Sequence, residues 1–134
     1  MTERARSRVF AAGLLVTAAA VVAMLLPMVA SSETAGVREI RLVARDMTFY
    51  VEGQQEPNPT IALRPGEQVR IRIRNEDAGM RHDFAVQAWG VASRMLDDRG
   101  QEDSVLLRAP AEPGTTAYVC TPHSRMMSGT VRVE

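Results

Sequence analysis

The stretch from Tyr118 to Gly129 constrains this chain more than any other part of its sequence. It contains the only cysteine, one of only two histidines and two of the methionines. Cys120, His123 and Met126 follow one another at intervals of three residues, and β-rich runs flank the stretch on both sides. A fold that accommodates it must bring a thiol, an imidazole and a thioether together at the ends of two strands.

The other histidine lies 38 residues upstream of the cysteine, in a strand-like segment. His82, Phe84 and Val86 there share one parity, so they point to the same side of a strand. Taken singly, a lone cysteine is usually a small buried hydrophobe, and a strand histidine is usually a hydrogen-bonded core residue. The combination of both histidines, the cysteine and a methionine at short spacing favours a metal site instead.

Copper is the metal that suits these donors. Thiolate and thioether are soft ligands, and two histidines, one cysteine and a weak axial methionine are the ligands of blue-copper electron-transfer sites. Zinc is the main alternative, but its usual protein ligands are thiolate, imidazole and carboxylate. We therefore predict one copper ion, with Met127 as an alternative axial ligand to Met126, bound by His82, Cys120, His123 and Met126.

Composition narrows the possible functions. A chain of 134 residues has room for one modest domain, and a single cysteine excludes an internal disulfide. The formal net charge of zero gives no argument for nucleic-acid binding. With two histidines in all, the chain lacks the donors for a second copper centre, so we expect a protein that is not itself an enzyme.

The N-terminus carries an export or anchoring pattern. Arg4, Arg6 and Arg8 precede an apolar run from Val9 to Ala30, and such a run is long enough to span a bilayer. We expect residues 1–30 to be a signal peptide or an N-terminal membrane anchor helix, and the residues alone leave both open. The basic residues favour the cytoplasmic side, which predicts a periplasmic or other extracytoplasmic location for the rest of the chain, after a linker at 31–36.

The remaining sequence reads as short strands separated by turns. Gln68 to Arg74 alternates strictly, with three β-branched residues on one face and three arginines on the other, which predicts one buried and one solvated face. Similar runs predict strands at 38–44, 47–51, 60–63, 82–86, 104–108, 115–120 and 130–134, and a short helix around 91–96. This pattern is typical of an antiparallel β-sandwich.

The final segment resembles a known family. The residues from Tyr118 through Cys120, His123 and Met126, followed by the run from Gly129 to Glu134, are similar to the cupredoxins, or type 1 blue copper proteins. The short spacing is most similar to that of amicyanin and its relatives, and the chain as a whole most resembles the group of amicyanin, pseudoazurin and plastocyanin. The resemblance covers residues 37–134 and implies a Greek-key cupredoxin β-sandwich that carries single electrons through a Cu(II)/Cu(I) site.

The resemblance also implies roles around the metal. Family members usually have asparagine after the first histidine ligand, where this chain has Asp83. That side chain connects the two ligand segments by bonding near the residue after the cysteine, here Thr121. An ionised aspartate can only accept a hydrogen bond, so we expect Asp83 to accept one from the Thr121 backbone or hydroxyl.

Two functions remain in competition at this point. The first is an electron carrier outside the cytoplasm, either tethered to the membrane through its N-terminal segment or released from it, that exchanges electrons with a redox partner such as a cytochrome or a copper oxidase. The second is an envelope copper chaperone, storage protein or sensor. Because a chaperone binds Cu(I) exchangeably and tends to use Met and His ligands, Cys120 favours the carrier.

Overall fold

The structure is a computed structural model that describes residues 36–134, and these form strands and two short 3₁₀ helices. The helices are Gln87–Trp89 and Thr121–His123. The strands are β1 (Arg38–Arg45), β2 (Thr48–Val51), β3 (Ile61–Leu63), β4 (Gln68–Asn75), β5 (Ala85–Val86), β6 (Val91–Ala92), β7 (Glu102–Arg108), β8 (Gly114–Val119) and β9 (Ser128–Val133).

The strands form two sheets that enclose one hydrophobic core. The first sheet has the order β2-β1-β4-β7, and the second has the order β3-β9-β8-β5-β6. The pairs β1–β4 and β3–β9 are parallel, and the other pairs are antiparallel. The all-β sandwich predicted from the sequence is therefore confirmed, but the purely antiparallel pairing expected from it is wrong, because two of the strand pairs are parallel.

Strand β4 shows how the alternating pattern builds the first sheet. Val69, Ile71 and Ile73 are fully buried, whereas Arg70 and Arg72 are exposed on the opposite face. The Arg72 guanidinium is paired with Glu102 on β7 at 2.8 Å. The solvated arginine face expected from the alternation is thus present, and Arg72 on it is paired with a carboxylate of a neighbouring strand.

Three aromatic side chains fill the core next to the strand ends that carry the predicted ligands. The Tyr118 ring stacks on Phe84 with centroids 5.3 Å apart and lies 5.4 Å from Phe49. Its buried hydroxyl donates a hydrogen bond to the Pro59 carbonyl at 2.7 Å. Gly129 lies directly against this ring, where a Cβ atom would overlap it, which explains why glycine is required there.

Two secondary-structure predictions need correction. Strand β5 begins at Ala85, and His82 lies before it in an isolated bridge to Leu96. The helix predicted around 91–96 is wrong: Val91 and Ala92 form β6, which pairs with β5, and the nearby 3₁₀ helix ends before it at Trp89. Pairing with a neighbouring strand overrides the weak local preference for helix.

The predicted signal peptide or anchor at 1–30 lies outside the described residues, as does the linker apart from Gly36. Within residues 36–134, none of the helices has the length and apolar character needed to cross a membrane.

The Glu67 side chain connects strand β1 of the first sheet to the turn that begins at Arg64. Its carboxylate accepts hydrogen bonds from the Arg64 backbone N–H at 2.8 Å and from the Arg38 guanidinium at 2.9 Å. The backbone hydrogen bond is the main cause that holds the pKa of Glu67 below its ordinary value of 4.5. We expect Glu67→Gln to lower the free energy of unfolding at pH 7 by about 1 kcal/mol, the usual contribution of such a bond.

The pH dependence follows from the direction of that shift. A lowered pKa in the folded state gives stabilisation that is complete above the unfolded-state pKa and disappears as the pH falls through the folded value. The difference between wild type and Glu67→Gln in urea unfolding should therefore shrink below about pH 4. The exposed Glu112→Gln serves as a control, and a Glu67 effect independent of pH would contradict this account.

Candidate metal centre

The register between β5 and β8 places the predicted ligands side by side. Ala85 pairs with Val119 in this antiparallel ladder, and continuing the same register puts Phe84 opposite Cys120. The chain segments just beyond the ladder, before β5 and after β8, therefore run next to each other. His82 and Cys120, far apart in sequence, meet at this end of the sandwich.

Three ligand atoms converge at that point. The Sγ atom of Cys120 lies 3.6 Å from Nδ1 of His82 and 3.5 Å from Nδ1 of His123. All three atoms lie within 4.8 Å of one another, and within residues 36–134 this is the cluster of cysteine, histidine and acidic residues that could hold a metal ion. Cys120 and His82 are fully buried.

These donors fit a single metal ion. Thiolate and imidazole ligands bind a first-row ion at about 2.0–2.3 Å, so ligand atoms arranged around one ion are separated by roughly 3.5–4 Å. The distances from the Cys120 sulfur to the two imidazole nitrogens match this separation. One thiolate and two imidazoles are the trigonal donor set of a blue-copper site.

Hydrogen bonds fix both the backbone and the ring of His82. Its backbone N–H and C=O both bond to Leu96, at 3.0 and 2.8 Å. With Nδ1 facing Cys120, the opposite nitrogen, Nε2, lies 2.9 Å from a carboxylate oxygen of Asp77. An ionised carboxylate can only accept a hydrogen bond, so this contact suits a protonated Nε2, which would leave Nδ1 available to a metal.

The loop after β8 closes upon itself and carries the other ligands. The Cys120 N–H donates to the Met127 carbonyl at 3.0 Å, which joins the two ends of the loop. The N–H groups of His123 and Met126 bond to the carbonyls of Cys120 and His123, at 3.0 and 2.9 Å. Pro122 lies in the first turn of the 3₁₀ helix, where a missing N–H has no cost.

The burial of the two methionines in this loop favours Met127 as the thioether ligand, whereas the sequence spacing favours Met126. Met126 is 57% exposed, whereas Met127 is fully buried in the same hydrophobic cluster as Cys120. The spacing from Cys120 favours Met126 as the ligand. Strand β9, however, begins at Ser128 with an exposed residue, and the alternation of side chains directs the preceding residue, Met127, inward. The structure therefore favours Met127 as the thioether ligand and places Met126 at the surface.

Asn58 attaches this loop to the opposite sheet. Its side-chain amide donates to the Met126 carbonyl at 3.1 Å, and its side-chain oxygen accepts from the Phe49 N–H at 3.2 Å. Asn58 has a φ of 46°, a left-handed conformation that asparagine tolerates better than most residues. The sequence analysis missed this residue, although an asparagine between two prolines is a signal for such a turn.

The predicted link between the two ligand segments is present. Asp83, which is 5% exposed, accepts a hydrogen bond from the Thr121 backbone N–H at 2.5 Å. The Thr121 hydroxyl, the other donor considered, is not the one that binds. The aspartate thus keeps the acceptor role of the usual asparagine and adds a negative charge beside Cys120.

Burial sets the protonation of two of the ligands. Burial, with a contribution from the Asp83 charge, raises the pKa of the Cys120 thiol to about 11. Burial lowers the pKa of His123 below its ordinary 6.5, with the neighbouring His82 adding to the shift. The imidazole is therefore ready to bind at neutral pH, whereas metal uptake must displace the thiol proton.

Comparison with known proteins agrees with this geometry. The sequence profile of the copper binding proteins of the plastocyanin/azurin family matches residues 58–134, which is more than half of the chain. A search of curated proteins found no match.

Solved structures share the fold. Auracyanin A, a "blue" copper protein from Chloroflexus aurantiacus, is 19% identical with a TM-score of 0.56, and the match covers 74% of this chain and 100% of that one. Reduced auracyanin from Roseiflexus castenholzii is 17% identical with a TM-score of 0.55, covering 72% and 96%. Rusticyanin from Thiobacillus ferrooxidans is 20% identical with a TM-score of 0.56, covering 72% and 76%.

The two adjacent methionines give a matched pair of variants. Leucine preserves much of the volume of methionine but lacks the sulfur. We expect Met127→Leu to raise the reduction potential of the copper-loaded protein by roughly 60 mV or more, since fewer donors favour Cu(I). Met126→Leu should leave the potential unchanged. Voltammetry of both variants measures these potentials. A raised potential in Met126→Leu with an unchanged potential in Met127→Leu would identify Met126 as the ligand instead.

The charge of Asp83 gives a second test. Asp83→Asn keeps an oxygen that accepts from Thr121 but removes the negative charge near the thiol. We expect the pKa of Cys120 in the metal-free protein to fall below the wild-type value, and the copper potential to rise. Thiolate absorbance during a pH titration and voltammetry measure the two effects. A potential equal to that of wild type would show that this charge does not reach the site.

Proposed function

The chain belongs to the plastocyanin/azurin family of copper-binding proteins, and we propose that it carries single electrons through a mononuclear type 1 copper site. The proposed ligands are His82, Cys120, His123 and, in the axial position, Met127. The observation that carries the proposal is the convergence of one thiol sulfur and two imidazole nitrogens within 4.8 Å in a largely buried site.

The protein part of the mechanism is rigidity. Copper, when bound, supplies a one-electron couple between Cu(II) and Cu(I), which prefer different geometries. His82 is held by Leu96 and Asp77, and Cys120 is held by its bond to the far end of the loop. Ligands fixed in this way move little when the charge of the site changes, which favours fast electron transfer.

The site has one partly exposed ligand. His123 is intermediate in exposure, and Pro122, Ser124 and Arg125 around it are exposed. We propose that a redox partner, such as a cytochrome or a copper oxidase, docks over this rim and exchanges electrons through the His123 ring. The guanidinium of Arg125 favours a partner whose contact surface is acidic.

The location of the protein is part of the proposal. The basic residues followed by an apolar run at the N-terminus support export, with residues 37–134 outside the cytoplasm. The segment would either remain as a membrane anchor or be removed as a signal peptide.

Copper delivery or storage is the competing function. A protein that hands copper to a partner needs ligands that the partner can reach, but Cys120 and His82 are fully buried. Replacement of the metal would require the loop between Cys120 and Met127 to open. These features favour a protein that keeps its copper and exchanges electrons.

The test compares copper retention with electron transfer. We expect the full chain loaded with Cu(II) to show an intense sulfur-to-copper absorption band and a reversible one-electron wave, and to keep its copper through repeated reduction and oxidation in the presence of a Cu(I) chelator. Cys120→Ser should lose the band and the wave, because it removes the thiolate.

The control separates the two functions. Met126→Leu alters an exposed residue of the same loop and should behave as wild type in all three measurements. Loss of copper to the chelator at each reduction, with slow electron exchange, would support the delivery function and contradict the proposal.

A further inference from the structure

The carboxylate of Asp77 joins two distant parts of the molecule. Its Oδ1 accepts a hydrogen bond from the Asp46 N–H at 2.9 Å, and its Oδ2 accepts one from the Met47 N–H at 3.4 Å. The same Oδ2 lies 2.9 Å from Nε2 of His82. The Asp77 side chain is 15% exposed and the His82 side chain is fully buried. One carboxylate therefore contacts both the β1–β2 turn and a metal ligand.

The turn on this carboxylate has an uncommon backbone. Arg45 pairs with Thr48, so the hairpin is closed by only two residues. These are Asp46 and Met47, with φ values of 51° and 59°, a left-handed conformation that residues other than glycine seldom adopt. Their two N–H groups point to Asp77, and the hydrogen bonds help to hold the turn in this conformation.

The chain segment that carries this carboxylate is also fixed by hydrogen bonds. The Asp77 N–H donates to the side-chain oxygen of Asn75 at 2.8 Å. Asn75 is fully buried, and its amide donates to the carbonyls of Met80 and Leu96, at 2.7 and 3.1 Å. Leu96 is the residue that bonds to the His82 backbone. One connected network of hydrogen bonds therefore fixes both the backbone and the ring of His82.

We propose that Asp77 is a positioning residue, which keeps the proton of His82 on Nε2 and its Nδ1 lone pair toward Cys120, and which thereby lowers the reduction potential of bound copper. This inference rests on the proposed function. An ionised carboxylate offers only acceptors, so the proton must lie on the nitrogen that faces it. A carboxylate bonded to a ligand histidine makes the imidazole a stronger donor, which stabilises Cu(II) relative to Cu(I).

The first experiment measures the potential of the full chain with copper bound. Asp77→Asn keeps the shape but removes the charge. We expect the ratio of Cu(II) to Cu(I) affinity to fall about tenfold, which is an upward shift of about 59 mV for a one-electron couple. An unchanged potential would overturn the proposed effect on the copper.

Asp98→Asn is the matched control. Asp98 also accepts two backbone hydrogen bonds, from Gly79 at 2.9 Å and from Arg99 at 2.8 Å. Its substitution removes the same charge without touching His82. The Asp98 variant should stay near the wild-type potential; an equal shift in both variants would mean a general charge effect and would overturn the proposal.

The second experiment needs no metal. In nitrogen-15 NMR spectra of the metal-free wild type, we expect His82 to carry its proton on Nε2, in slow exchange with water. In Asp77→Asn this proton should exchange at least tenfold faster, whereas Asp98→Asn should match the wild type. Equal exchange in Asp77→Asn and wild type would overturn the positioning role.

A third variant protects the test against misfolding. Asp46→Gly relieves the left-handed residue at an exposed position, so the turn should depend less on the carboxylate. If Asp77→Asn alone does not fold, the same comparisons are made within the Asp46→Gly background, with the same outcomes for and against. If wild type shows no reversible copper couple, the proposed function fails, and the proton exchange still decides whether Asp77 positions His82.

Discussion

The continuation of the β5–β8 register beyond the paired residues is the constraint on which the rest of the site depends. It brings the segment before β5 alongside the loop after β8, and the hydrogen bond from the Thr121 N–H to Asp83 holds the two together. The stacked rings of Phe84 and Tyr118 fix the same two segments from inside the core. Without this alignment, the fold would not bring His82 and Cys120 together.

The ligands are surrounded by backbone hydrogen bonds and carboxylates, which satisfy their polar groups within a buried site. Leu96, Asp77 and Asn58 come from different parts of the chain and each contacts a ligand or its loop. Unsatisfied buried polar groups are costly, so these contacts stabilise one arrangement against alternatives. The same contacts restrict ligand movement, so in the proposed electron transfer structural stability and small reorganisation have a common origin.

The sequence predicted the parts of this molecule that repeat or that are chemically rare. Strict alternation revealed β4, and the scarcity of cysteine and histidine left few candidate ligands. Met127 was ranked second because spacing from Cys120 says nothing about where β9 begins. The mistaken helix at 91–96 failed because strand pairing with β5 decides that segment. Asp77 gave no signal, since an acidic residue in a turn between strands is ordinary until the fold places it beside His82.

The binding of one copper ion by Cys120, His82 and His123 together is the feature on which the proposed function depends. X-ray absorption spectroscopy of the full chain loaded with Cu(II) tests it most directly, because it reports the atoms around the metal. We expect one short copper–sulfur distance and two copper–nitrogen distances from imidazole, with the sulfur contribution absent in Cys120→Ser. A copper environment of nitrogen and oxygen alone in the wild type would contradict the account.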